Sequence, residues 1–305
     1  MKKVLIIGAV TADLVSSVDH LPKSDEEFRP ADTRMRLSGF GWNCAKVFKS
    51  LNLPFDLVTT VGSGYYGDMI CSMAKDSGIA LPEQRKEIHG CTYTLVDGNG
   101  RYTTMTAEGC EYDFGSFKAN PDDYDYVLLG GMEAGGEGAD ALLDFLQPYM
   151  DRIMFVPGND GVLLDYDTLE EIYRLRPLVQ ISDTQLETVT FGEETDALKA
   201  AGILRVYTDN DILVTLKDGG TVYVKEDDRI YIREEKHNVV DLCGCEEAHA
   251  AAYLCGRLSG LSVRRAAEFA NRYASRIAGI QETYLDEREY SGVKGMLADL
   301  ILKEN

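Results

Sequence analysis

The chain has 305 residues and a formal net charge of −20 at pH 7. That length suits one large α/β domain with a sizeable core. The charge speaks against nucleic acid or an anionic membrane as partner, since either would repel it, but leaves an anionic small molecule open because local charge decides that. The seven cysteines are odd in number and irregularly spaced, in a chain too long to need disulfide staples. No apolar run approaches the ~18 residues of a membrane span. The run 4–10 is too short for a secretion signal, so a reduced, cytoplasmic protein is expected.

Residues 3–8 read as a buried strand without polar alternation, as in a sheet covered on both faces, and Asp13 follows its carboxyl end. Residues 14–37, broken by Pro22 and Pro30, read as short polar strands of a small β appendage. Residues 38–45, Ser-Gly-Phe-Gly-Trp-Asn-Cys-Ala, form a glycine-rich loop running into a helix over 43–51. On its own, Asn43 is as well explained as a helix N-cap as by a binding role.

A strand over 54–61 precedes Gly62-Ser-Gly-Tyr-Tyr-Gly67 and a helix to about Ser77, with Glu83 beyond. This is a literal G-x-G-x-x-G, so an NAD(P)-binding oxidoreductase is a remote alternative. That fingerprint belongs on the first βα turn, and no clear strand ends at Glu83. Residues 92–97 and 101–106 flank an Asn-Gly turn and read as a hairpin.

From Tyr124 onward the chain alternates. Strands are expected over 124–129, 152–156 and 177–181, and helices over 139–146, 169–174 and near Leu186. Such alternation means a parallel sheet with right-handed crossovers. A further buried strand, 212–216, runs into Lys217-Asp-Gly-Gly220. Strand-like runs at 221–224 and 229–232 follow, and then helices over 246–258, 262–278 and 292–302.

Residues 239–252 read Val-Val-Asp-Leu-Cys-Gly-Cys-Glu-Glu-Ala-His-Ala-Ala-Ala. A β-branched run ends, Gly244 permits a sharp turn, and an alanine-rich helix opens with Glu246 and Glu247. The N–H groups at such a helix start form an anion site. Cys243, Cys245, Glu247 and His249 also suggest zinc, but no second ligand pair stands at finger spacing.

Taken in order, these features resemble the ribokinase-like (PfkB) carbohydrate kinases. The stretch 241–247 resembles the family signature Asp-Thr-Thr-Gly-Ala-Gly-Asp, with Asp241 and Gly244 matching, Glu246 in place of a glycine and Glu247 in place of the aspartate base. The stretch 38–45 resembles Gly-Gly-Lys-Gly-x-Asn-x-Ala, with Gly39, Gly41, Asn43 and Ala45 matching. The resemblance implies a ribokinase-like three-layer α/β sandwich over 1–305, with a mostly parallel central sheet and a β lid within about 14–37 and 92–106. It implies ATP and Mg2+ as cofactors. The reaction implied is phosphorylation of a hydroxymethyl group on a sugar or nucleoside.

The same resemblance implies the site. Gly244, Cys245 and Glu246 form the phosphate loop, with Glu247 as base. Asp13, Gly39, Gly41 and Asn43 bind substrate; Thr215, Gly220 and Asn271 lie by the nucleotide. Glu187 is aligned with a glutamate that organises magnesium through water, although a second register sets Asp183 on that motif's asparagine instead. Family lids often mediate dimers, which makes a homodimer through the lid a further expectation. Because Glu246 and Glu247 depart from the signature, a catalytically impaired pseudokinase that binds a sugar-like ligand is the alternative.

Overall fold

Alternate side chains of the first strand, β1 (Lys3–Ile7), enter two different cores: Val4 and Ile6 one, Leu5 and Ile7 the other. A strand apolar on both faces is stable only between two layers. The computed structural model, which describes residues 3–114, 117–135, 138–158, 164–190, 196–217, 219–226, 228–233 and 238–304, shows those layers.

The central sheet adds β4 (Phe55–Val58), β7 (Tyr124–Gly130), β8 (Ile153–Val156), β9 (Leu178–Ser182), β10 (Ile212–Thr215), β11 (Thr221–Lys225) and β12 (Asp228–Ile232). Its order is β12-β11-β10-β9-β8-β7-β1-β4. Pairing is parallel from β4 to β10, and antiparallel for β11 and β12 at the edge. One face packs on α1 (Phe40–Leu51), α2 (Gly64–Ala74), α8 (Cys245–Leu258), α9 (Val263–Ala278) and α10 (Tyr290–Glu304). The other packs on α4 (Ala139–Leu146), α5 (Tyr166–Arg174) and α7 (Ala197–Thr208). Two short helices, α3 (Gly131–Gly135) and α6 (Leu186–Val189), sit at strand ends.

A second sheet has the order β3-β2-β5-β6, made of β2 (Thr11–Ser17), β3 (Asp32–Ser38), β5 (Cys91–Val96) and β6 (Tyr102–Ala107). The pair β2–β5 is parallel and the outer pairs are antiparallel. Here the structure differs from the sequence reading in detail. Asp13 lies inside β2, because the chain leaves the main sheet at once. The first helix begins at Phe40 with Gly39 as N-cap, so Asn43 sits inside it and is not a cap. Helix α7 was not anticipated; its apolar positions are spread too widely for a clear periodic face. All seven cysteines are free thiols. No helix among the described residues is long and apolar enough to cross a membrane.

Candidate active site

Beyond the carboxyl ends of β1, β7 and β8, and under one face of the second sheet, lies a cleft of about 170 Å³. Ligands of open α/β sheets bind at such strand ends. Asp13, Gly39, Gly244, Glu246 and Glu247 all line it. The rest of the chain brings these five together although 234 residues separate the first from the last.

Asp13 is positioned by strand register. It lies directly opposite Arg36 across the β2–β3 pair, and Arg36 Nε donates to Asp13 Oδ2 at 2.8 Å. Thr94 Oγ1, from β5, donates to Asp13 Oδ1 at 2.8 Å. Burial pushes the Asp13 carboxyl up, while the Arg36 guanidinium and the Thr94 hydroxyl hold it down, leaving a net rise. Each carboxylate oxygen thus has one protein donor and lone-pair capacity for a second. Arg36 continues to Asp241: Nη1 donates to Asp241 Oδ2 at 2.9 Å and to the Gln281 carbonyl at 3.1 Å.

Asp241 also shapes the loop. Its Oδ1 accepts from Cys243 N–H at 2.9 Å, and Leu242 N–H donates to the Gly100 carbonyl in the β5–β6 turn at 3.0 Å. Gly244, at φ +82°, is the N-cap of α8. A Cβ there would lie 2.7 Å from Thr283 Cβ, so glycine is required both by conformation and by space. The helix start therefore points at the cleft with no capping side chain of its own, and its dipole favours a negative group there.

The two glutamates of that first turn are placed differently. The Glu246 carboxylate accepts from Gln185 Nε2 at 3.2 Å, and its backbone carbonyl accepts from Gln180 Nε2 at 2.9 Å. Glu247 is half-buried and borders the cleft, with its carbonyl facing Cys44 Sγ. Cys245 borders no part of the cleft; its Sγ lies 3.8 Å from the Ala274 carbonyl, and burial pushes the thiol well up.

Gly41 and Asn43 stand behind Gly39. A Cβ on Gly41 would overlap the Gly8 carbonyl oxygen, so this glycine lets α1 close on the end of β1. Asn43 is buried, and its Oδ1 accepts from Thr283 Oγ1 at 2.7 Å. Trp42, in the same loop, is buried edge-on against Tyr284 and does not face the cleft.

Thr215, Gly220 and Asn271 lie elsewhere. Thr215 ends β10, Gly220 turns into β11 at φ +94°, and Asn271 is buried in α9. The Asn271 Oδ1 accepts from Thr221 Oγ1 at 2.7 Å and lies 3.1 Å from His249 Nε2. His249 Nδ1 is 2.6 Å from Gln180 Oε1, which links this buried network to the start of α8. Burial brings His249 down to about 4, so it is neutral at pH 7. The imidazole is thereby turned away from Cys243 and Cys245, and among the described residues no three His, Cys, Asp or Glu converge on a metal position. Glu187 is exposed on α6 and does not line the cleft. Asp183 Oδ2 accepts from Lys217 N–H at 3.1 Å.

The glycine loop 62–67 packs on the chain over 84–89, with Gln84 Nε2 donating to the Gly62 carbonyl at 3.0 Å. Gly62 N–H donates to His89 Nδ1 and Ser63 N–H to the Glu87 carbonyl, so a neighbouring strip of chain occupies it. The preceding strand, β4, is the edge of the sheet rather than the first βα unit.

Three participants escaped the sequence reading. Arg36 and Gln185 carry no motif signal. Glu133, buried on α3, accepts from Ala9 N–H at 3.0 Å and lines the cleft; its place after a strand end is the one clue available.

Comparison with known proteins identifies the family and the fold. The family model for pfkB family carbohydrate kinases matches residues 1–287. Ribokinase from Thermotoga maritima superposes with a TM-score of 0.76 at 17% identity, covering 99% of this chain and 100% of that one. Ribokinase from Cryptococcus neoformans var. grubii serotype A, in complex with ADP, gives 0.80 at 16%, covering 98% and 99%. Burkholderia thailandensis nucleoside kinase, in complex with inosine, gives 0.77 at 16%, covering 99% and 98%. The central sheet, the second sheet beside it and the family match together leave one assignment: the chain belongs to the pfkB family of carbohydrate kinases and has the ribokinase fold.

Proposed function

We propose that the protein transfers the γ-phosphoryl group of ATP to a hydroxymethyl group of a sugar or nucleoside. The observation that carries this reading is the single cleft in which Asp13 faces the start of α8 with Glu247 at its border. Asp13 holds substrate hydroxyls through the free capacity of its two oxygens. The helix start at Gly244 takes the phosphoryl group, as helix N-termini do for anions. Glu247 accepts the hydroxyl proton; its intrinsic basicity is close to that of aspartate. The ADP-bound and inosine-bound relatives support both halves of the reading.

Magnesium fits this arrangement as an ion carried mainly by phosphate oxygens and water, touched by one or two carboxylates. Glu246 is the cleft carboxylate on α8 that would hold it, since Glu247 is kept for the hydroxyl proton. When bound, it neutralises charge on the phosphates; the protein's own part is to hold the hydroxyl, the helix start and the base in line.

The decisive experiment is substrate-dependent ATP consumption across a panel of sugars and nucleosides, repeated with Glu247→Gln. Loss of about 10²–10⁴-fold in kcat with substrate binding intact is expected for a general base. Turnover that survives the substitution removes Glu247 from that role. One observation favours the second reading, a pseudokinase. Glu246, where family members have glycine, sets a carboxylate within the first turn of α8. If calorimetry shows sugar binding but no Mg-ATP binding, that reading replaces the first.

A further inference from the structure

Two carboxylates that serve different parts of the site are joined by one buried cation. Arg36 Nε donates to Asp13 Oδ2 at 2.8 Å, and its Nη1 donates to Asp241 Oδ2 at 2.9 Å. The other oxygen of each carboxylate also accepts: Asp13 Oδ1 from Thr94 Oγ1 at 2.8 Å, and Asp241 Oδ1 from Cys243 N–H at 2.9 Å. Cys243 and Gly244 line the cleft, and Gly244 is the N-cap of α8. An unbroken run of charge-assisted hydrogen bonds therefore leads from Asp13 to the residues just ahead of the helix start. Arg36 itself does not line the cleft and is 1% exposed, so it acts only through these partners.

Packing alone does not fix that loop. A second cavity, of about 260 Å³, is lined by Val239, Val240, Asp241 and Gln281, and both valines are exposed. Nor is the charge cluster the most stable filling of its place. Buried charges are often replaced by apolar groups of similar volume without loss. Arg36 Nη2 has no hydrogen-bond partner among the described residues, which adds to the cost. What the guanidinium supplies, and an apolar filling would not, is a directional tie to both carboxylates at once.

We infer that Arg36 is a positioning residue: through Asp13 and Asp241 it makes a bound polyol fix the loop 241–244, so that the phosphate-binding helix start is set when substrate is in place. This rests on reading Asp13 as the residue that holds substrate hydroxyls. Coupling between two sites typically amounts to about 5–150-fold.

The test is hydrogen exchange of the full chain, read by mass spectrometry, with and without millimolar D-ribose, D-fructose, adenosine or uridine, and without nucleotide. In the parent, a polyol that slows exchange in β2 and β5 is expected to slow it by about fivefold or more over 239–247 as well. A polyol can also touch the lining Cys243 directly, so variants that cut the tie at either end decide the matter. Arg36→Lys keeps a charge but cannot fork to both carboxylates. Asp241→Asn keeps the shape and cuts the tie from the other side, and it serves should Arg36→Lys fail to fold. In either variant, β2 and β5 are expected to respond as in the parent, with the response over 239–247 lost. Protection over 239–247 that persists in the variants, or that is missing from the parent, overturns the inference. So does a panel in which no compound slows exchange in β2 or β5.

ATP consumption separates this inference from the kinase reading. Arg36→Lys is expected to lower kcat by about 10²-fold with KM for the polyol little changed, as for a misplaced loop. No turnover by the parent, with the exchange result intact, sinks the kinase reading alone. Turnover with kcat unchanged in Arg36→Lys sinks this inference alone.

Discussion

Arg36 donates to Asp241 across 205 residues of chain, at 2.9 Å, while its Nε holds Asp13 at 2.8 Å. One guanidinium thus joins the second sheet to the loop ahead of α8, and a third segment enters through the Gln281 carbonyl. Charges this deeply buried are tolerable only when paired.

Removing that cation should therefore be costly. Arg36→Met leaves two buried carboxylates facing each other and is expected to destabilise the fold by about 3–5 kcal/mol. Arg36→Lys should lose less, because a point charge can approach one carboxylate but cannot fork to both. Urea denaturation of the three proteins measures this. A stability for Arg36→Met within about 1 kcal/mol of the parent would show that the triad does not hold the two sheets together.

Glycine requirements separate by space. Gly41→Ala places a methyl group on the Gly8 carbonyl oxygen, backbone against backbone, where no side-chain rotation relieves it. A loss of about 2–3 kcal/mol is expected, with poorer packing of α1 on β1. Gly98→Ala, in the β5–β6 turn, meets nothing within 4 Å and should change stability by under about 0.5 kcal/mol. Equal thermal shifts for the two variants would contradict this account.

The Thr283–Asn43 hydrogen bond tests whether Asn43 is held by the protein alone. Thr283→Val keeps the shape but leaves a buried amide oxygen without its donor. About 1–3 kcal/mol should be lost, more than a solvent-exposed hydrogen bond would cost. Double-mutant analysis with Asn43→Ala should recover part of that loss; strict additivity would show the two side chains act independently.

His249 links stability to pH. Its folded pKa of about 4 lies below the ordinary imidazole value of about 6.5, with burial as the main cause. Between these values the unfolded chain binds a proton that the folded protein refuses, so stability falls as pH drops from about 6.5 to about 4 and then levels off. The gap corresponds to about 3 kcal/mol. Chemical denaturation of the parent and of His249→Gln over this range is the check. The variant should lack this component of the slope, and parallel curves would exclude the histidine as its source.

How much of this was legible in advance differs from residue to residue. The strand over 124–130 and the helix over 139–146 were read with almost their observed bounds, because apolar runs and helical spacing are local properties. The hairpin of β5 and β6 was marked by its Asn-Gly turn. Gly244 was legible as a turn into a helix, since the reason for glycine there is partly its own φ. Arg36 was not, because nothing local distinguishes a buried arginine from the partly exposed Arg34 two residues earlier on the same strand; a long connection between β2 and β3 hides their register.

The sequence by itself determined the alternation of strands and helices, the two glycine-containing loops and the family they signal. These follow from propensity, periodicity and chain order, which need no knowledge of what touches what. Only the tertiary structure decided which residues share a cleft. It set Asp13 and Glu247 on one opening, buried Asn271 with His249, turned Trp42 inward and gave Glu133 a place at the site. The reason is physical: side-chain direction and charge pairing depend on register between distant strands, and register is settled by packing of the whole core.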